Sequence, residues 1–260
     1  MNLIQKGNCN VQLKFVLMTV LALAVILAGC GPANSAREWS YSTDARHVLI
    51  EADTRGGFVP VEVAASHIPD LRLYGDGRVI WSEKSDDGAT TVWEGRLSDQ
   101  EIRALLDWMD EQGYFEMEEF YTVDNAPTDL PSSCIAVALQ DQSHRVCEYF
   151  DGAPAAFDEI YQRLHEGAGA TGAQNFEPEI AWVSAHGVPG IAPQEAIAWP
   201  EGLSPAPSAF GEGMWVEGEA LDFLWSNRLE PGPMFFQESG SVYVIVLQIP
   251  GVTPDAPPAP

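Results

Sequence analysis

Apolar and polar positions alternate on both sides of Gly75-Asp76-Gly77 in the stretch LRLYGDGRVIW, which starts at Leu71. A period of two marks half-buried strands, and the glycines allow the positive φ that a tight turn needs, so the stretch predicts a hairpin. RHVLIEA and FVPVEVAA, on either side of Thr54-Arg55-Gly56-Gly57, predict two strands and a turn, and TTVWEG predicts another strand. The period then changes. In LSDQEIRALLDWMDEQG, Ile102, Leu105, Leu106 and Met109 fall three and four residues apart, which places them on one face of a helix. Ser98 and Glu101 have the spacing of a capping box, Asp99 and Glu101 suit the positive end of the helix dipole, and Gly113 suits its close. PAAFDEIYQRLHEG repeats the logic, with Pro154 in the first turn, Phe157, Ile160, Tyr161 and Leu164 as the stripe, and Gly167 as the stop.

Residues 46–167 therefore predict an α+β domain, an antiparallel sheet with two helices packed on one face. GAGATGAQN, spanning 167–175, has the composition of a Gly/Ala linker, assigned to 168–176. Beyond it EIAWVSA, GMWVEGEALDFLW, MFFQ and SVYVIVLQI predict a small β-rich second domain over 177–250, with EALDFLW readable as helix or strand. GVTPDAPPAP, at 251–260, is Pro-rich and expected to be disordered.

Cysteines 134 and 147 flank a turn in SSCIAVALQDQSHRVCEYF. With strands at 133–139 and 144–150 and Gln140-Asp141 as a two-residue loop, the two face each other, within the ~4.5–5.5 Å between β-carbons that favours a disulfide.

The chain front carries a different pattern. Fourteen uncharged residues from Phe15 to Ala28 follow Lys6 and Lys14, and a helix of that length covers about 21 Å, short of the ~30 Å hydrocarbon core. A basic start, an apolar run and a small-residue exit describe a secretory signal at 1–29. Leu27-Ala28-Gly29-Cys30 resembles the lipobox of bacterial lipoproteins. The resemblance implies cleavage before Cys30, lipidation of its thiol, and a body held at the extracytoplasmic side of a membrane by residues 30–45 as tether. Two or three acyl chains hold stably where one holds weakly. A second resemblance covers residues 70–165. The hairpin, capped helix, EMEEFY run, cysteine hairpin and FDEIYQRL helix look like a domain family of unknown function found in exported bacterial lipoproteins. It implies a fold and a setting and transfers no site.

The 260 residues hold 13 Lys and Arg against 38 Asp and Glu, a formal charge of −25. Removing Lys6 and Lys14 with the signal makes it −27 (−25 minus 2), leaving Lys84 as the only lysine. Such a body repels nucleic acid and anionic lipid, so nucleic-acid binding is excluded.

Candidate chemistry is sparse. No G-x-S-x-G, H-E-x-x-H or phosphate-cradling glycine loop occurs, and the histidines at 47, 67, 144, 165 and 186 lack ligand spacing. Glu83, Ser85, Asp87, Gly88 and Glu94 approach an EF-hand spacing, but strand-like flanks argue for a hairpin loop. Asp124, Asn125 and Asp129 form a weak calcium candidate, set against the ordinary use of Asp and Asn in turns. Trp182, Trp199, Trp215 and Trp225 suit either a sugar-stacking groove or a core, the latter being simpler. The sequence predicts no catalytic residue, no cofactor and no enzymatic activity. It favours an anchored binding or scaffolding module with an envelope protein partner. A hydrolase with an unrecognised carboxylate site and a glycan or small-ligand receptor are the alternatives.

Overall fold

A computed structural model of the chain describes residues 37–84, 90–228 and 232–260. The lipobox with Cys30, and Ser85, Asp87 and Gly88 of the EF-hand-like spacing, lie outside these residues.

The first half builds one eight-stranded sheet. Its strands in chain order are β1 (Val48–Gly56), β2 (Leu71–Tyr74), β3 (Arg78–Lys84), β4 (Thr90–Arg96), β5 (Phe120–Thr122), β6 (Pro131–Ala138), β7 (Ser143–Tyr149) and β8 (Thr171–Asn175). Their order across the sheet is β5-β7-β6-β1-β2-β3-β4-β8, so β1 lies in the middle, between β6 and β2. Every pairing is antiparallel except β5 with β7.

Helix α1 (Val61–Ser66) follows β1, α2 (Asp99–Glu111) follows β4, and α3 (Ala155–His165) follows β7. In α2 the Ser98 hydroxyl accepts from the Glu101 amide and the Glu101 carboxylate accepts from the Ser98 amide, closing the capping box. Ile102, Leu105, Leu106 and Met109 are its buried residues, and Phe157, Ile160 and Leu164 those of α3. Both stripes enter one core with Leu71, Leu73, Val79 and Trp81, the two predicted helices on one face. At about 1.5–3 kcal/mol per large apolar side chain, this burial outweighs the intrinsic propensity of either helix.

The other face of the same strands is also covered. Tyr74, Ile80 and Val92 point into a second core shared with a five-stranded sheet. That sheet contains β9 (Ala181–Gly187), β10 (Ile197–Ala198), β11 (Met214–Val216), β12 (Met234–Glu238) and β13 (Ser241–Gln248), in the order β10-β12-β13-β9-β11. Helix α4 (Pro207–Phe210) and α5 (Glu219–Ser226) accompany it, so EALDFLW is helix. Residues Trp39–Pro260 form one compact unit in which the 46–167 and 177–250 spans share a core.

Three local expectations change. FVPVEVAA is not a strand: it leaves the sheet at Gly56 and becomes α1 after Pro60, because both sides of β1 are already paired. The Gly/Ala segment supplies β8, which pairs with β4 at Trp93↔Asn175 and Glu94↔Gln174. Just before it, Gly167 is required by Trp81: a Cβ there would come within 2.7 Å of that ring. In the Pro-rich tail, Val252 and Thr253 are buried, and the Gly251 carbonyl accepts from the Tyr74 hydroxyl and the Arg72 guanidinium.

Candidate functional site

Two features stand close together at one end of the large sheet: a buried polar cluster and, beyond it, an apolar rim.

The cluster begins at Asp53 on β1, 1% exposed, whose Oδ1 lies 2.5 Å from His67 Nε2. Arg55 Nε lies 2.9 Å from the other carboxylate oxygen. The Ala52↔Leu71 pairing of β1 with β2, continued by one residue, sets Asp70 across from Asp53. Asp70 is also buried and accepts from the Tyr161 hydroxyl. Thr54 Oγ1 completes the set, 2.7 Å from the Tyr161 hydroxyl and 2.9 Å from Ser133 Oγ. Burial, and then the Asp70 carboxylate, push the Tyr161 phenol far above its ordinary value, so it stays protonated and donates. Buried carboxylates this close are tolerable only because each has a polar partner.

This cluster closes a loop. The chain leaves β1 at Gly56, runs through α1 and returns at His67, so the Asp53–His67 contact ties the two ends of the excursion. Ser66 Oγ adds a second tie by accepting from the Leu247 amide of β13. A cavity of about 50 Å³ lies beneath α1, lined among others by Ser66, His67, Asp70 and Ser82. That volume holds one or two waters, against roughly 300 Å³ or more for a metabolite pocket. The cluster is therefore suited to fixing α1 in place.

The excursion that it fixes carries apolar side chains into solvent. Phe58 is 93% exposed and Val61 74%, with Val59 beside them. Leu130 precedes β6, Phe150 follows β7, Val123 follows β5 and Phe120 opens it. The ladder brings them toward one end: Gly56 pairs with Pro131, and Thr122 with Tyr149, so the end of β1, the start of β6 and the ends of β7 and β5 share it, with Phe120 two residues inward opposite Cys147. These seven are the exposed large apolar side chains among the described residues. A cluster of this kind marks an interaction surface more than scattered exposure does.

Two close approaches give the rim its form. Gly57 takes φ +73°, and a Cβ there would lie 2.9 Å from the Asp129 carbonyl oxygen. Tyr149 pins the 123–130 loop by donating to the Pro127 carbonyl and accepting from the Leu130 amide. The disulfide Cys134–Cys147 joins directly opposite residues of β6 and β7, with Cα atoms 4.1 Å apart, and Gln140-Asp141 is the loop between the strands.

Residues 66–168 match the model of a domain of unknown function, DUF6438. The match takes in both large helices, the cysteine hairpin, His67, Asp70 and Tyr161, and leaves out β1 with Asp53. Nothing among curated proteins and nothing among solved structures matches the chain.

The other sequence candidates are dispersed. Asn125 and Asp129 take positive φ in the loop beside the rim, and Asp124 is exposed next to them. Among the described residues, no group of three or more His, Cys, Asp or Glu gathers to hold a metal. Glu83 accepts from the indole nitrogens of Trp81 and Trp93. Trp199 packs edge-on against Phe210, Phe223 and Phe236, and Trp225 is buried, so both serve the second core. Trp182 and Trp215 pair 5.3 Å apart, and their ladder neighbours Val183 and Met214 are the ones that face that core. The four indoles line no common groove.

Sequence reasoning missed Asp53, Asp70 and Tyr161. A signal was present: an acid within the strand-like run VLIEAD must be buried with a partner or break the alternation. Its partners are Arg55, two residues along β1, and His67, brought back by the excursion through α1.

Proposed function

We propose that this protein is a lipid-anchored extracytoplasmic binding module that recruits an envelope protein and performs no turnover. The observation that carries the reading is the apolar rim, seven exposed large side chains gathered at one end of a sheet whose other apolar faces are covered. The Leu27-Ala28-Gly29-Cys30 stretch behind a basic-apolar leader supports anchoring through Cys30. An aqueous, disulfide-permitting compartment agrees with Cys134–Cys147.

The test is in-cell photocrosslinking of the full chain, with a photoreactive residue at position 58 and, as a control, at the exposed Glu212. One dominant envelope neighbour captured from 58, absent from 212 and lost in Cys30→Ala, is the expected result. Equal capture from both positions, or none, overturns the reading.

A further inference from the structure

We propose that the apolar rim faces away from the bilayer and docks a protein segment presenting apolar residues flanked by lysine or arginine. The inference rests on the anchored-module reading for its orientation and on the rim's own chemistry for its partner.

The orientation follows from where the chain enters the body. Ser40 accepts from the Gln140 amide through its carbonyl, and its hydroxyl pairs with the Gln140 side chain at 2.7 Å. Trp39 Nε1 donates to Asp107 at 2.7 Å, and its ring lies 5.1 Å from that of Phe115. Gln140 belongs to the turn between β6 and β7, whereas the rim begins at Leu130 and Phe150, at the opposite end of those strands. The seven steps of β6 separate the two ends by about 23 Å. Nine residues from Cys30 to Trp39 reach at most about 32 Å. Laying the rim on the membrane would use most of that reach in running back along the body. With the entry end toward the membrane no such stretch is needed, and the rim points outward.

The partner's chemistry follows from charge. Glu62, Asp124, Asp129 and Asp151 adjoin the rim residues in the chain, and Arg55, beside Gly56 on β1, is engaged by Asp53 and Glu51. An anionic lipid surface is repelled by that border and by a body whose formal charge is −27 (−25 minus 2) once Lys6 and Lys14 leave with the signal. A basic-apolar protein segment satisfies both features, the apolar centre by burial and the acidic border by charge complementarity. β5 adds an open sheet edge beside Phe120, to which an extended segment can pair.

The test uses the full lipidated chain in phosphatidylethanolamine/phosphatidylglycerol vesicles, with an environment-sensitive fluorophore on Phe58→Cys. The probes are a quencher-labelled lipid, a twelve-residue peptide alternating Phe or Leu with Lys, and the same peptide with Glu for Lys. The expected result is no quenching by lipid and at least tenfold tighter binding of the Lys peptide than of the Glu peptide. Binding to a second reporter site is expected to fall at least tenfold in Phe58→Asp/Val61→Asp, with circular dichroism unchanged. That variant separates docking from diffuse attraction, because added acids strengthen attraction for a Lys peptide while destroying an apolar dock. Quenching by lipid, equal binding of the two peptides, or a variant that binds as well as the parent would each overturn the inference. If the chain carries no lipid, the anchored reading fails while peptide selectivity still decides the docking chemistry. If a crosslinked neighbour maps to another face, the anchored reading stands and this inference falls.

Discussion

Asp53 Oδ1 sits 2.5 Å from His67 Nε2, so the residue where α1 ends is held against the strand from which the loop departs. Asp53→Asn removes the charge from a buried position and breaks its pairing with both His67 and Arg55. The expected loss is about 1–3 kcal/mol, the usual consequence of disrupting a buried, charge-assisted contact. Urea unfolding measures it, and hydrogen exchange is expected to quicken across 56–66 more than in α2. Phe58→Ser, by contrast, is expected to leave stability within about 0.5 kcal/mol, because that ring has no burial to lose.

The cysteine bridge closes a short loop of 13 residues' separation. Loop-closure entropy for such a span amounts to about 3 kcal/mol. The Cys134→Ser/Cys147→Ser double variant is expected to lose about 2–3 kcal/mol in chemical denaturation. It should keep the β6–β7 register, since Val146 and Ile135 remain buried opposite each other.

Removing the cap of α2 by Ser98→Ala is expected to cost about 1 kcal/mol. The same end of the helix gives an acid-side signature. The Ser98 side chain, and then its backbone amide, hold the Glu101 carboxyl below its ordinary value. Arg103, and then Tyr41, do the same for Asp99. For carboxyls depressed in the folded state, the stabilisation is complete above the unfolded values near 4 and is lost as pH falls through the folded ones. Thermal midpoints measured from pH 5 to pH 2 should therefore fall less steeply in Asp99→Asn than in the parent chain.

On the alkaline side the sign reverses. Burial, and then the hydrogen bond to Asp99, push the Tyr41 phenol up to about 12. Between about pH 10 and 12 the unfolded chain releases a proton that the folded chain retains, so stability falls with rising pH across that window. Tyr41→Phe should flatten the decline in that interval, as read by equilibrium unfolding at pH 9, 10 and 11.

Much of the fold was written in local patterns. The capping box, the two apolar stripes, the Gly75-Asp76-Gly77 turn and the cysteine register are all decided within a few residues of each other, and the structure has them where the spacing puts them. The misread segments are those decided by distant neighbours. FVPVEVAA has strand composition, but β1, the strand that leads into it, is already paired on both sides. The Gly/Ala segment has linker composition, yet its first glycine, Gly167, answers to the Trp81 ring and its later residues pair with β4. The LRLYGDGRVIW hairpin reads as alternating and half-buried, yet Val79, Ile80 and Trp81 form an unbroken apolar run, and β3 is buried on both faces. The apolar rim was the least legible feature. Phe58, Val61, Val123, Leu130 and Phe150 are scattered over some ninety positions and meet only through the ladder.

β1 has a consequence for dissection. It fills the place between β2 and β6, yet it precedes residue 66, where the DUF6438 match begins. A fragment cut at 66 and 168 would carry an empty slot through its middle, with two bare ladder edges inviting self-association. The same slot makes the protein a natural split pair. A peptide spanning 46–56 supplied separately has one place to go, and its insertion would rebuild the sheet from the inside.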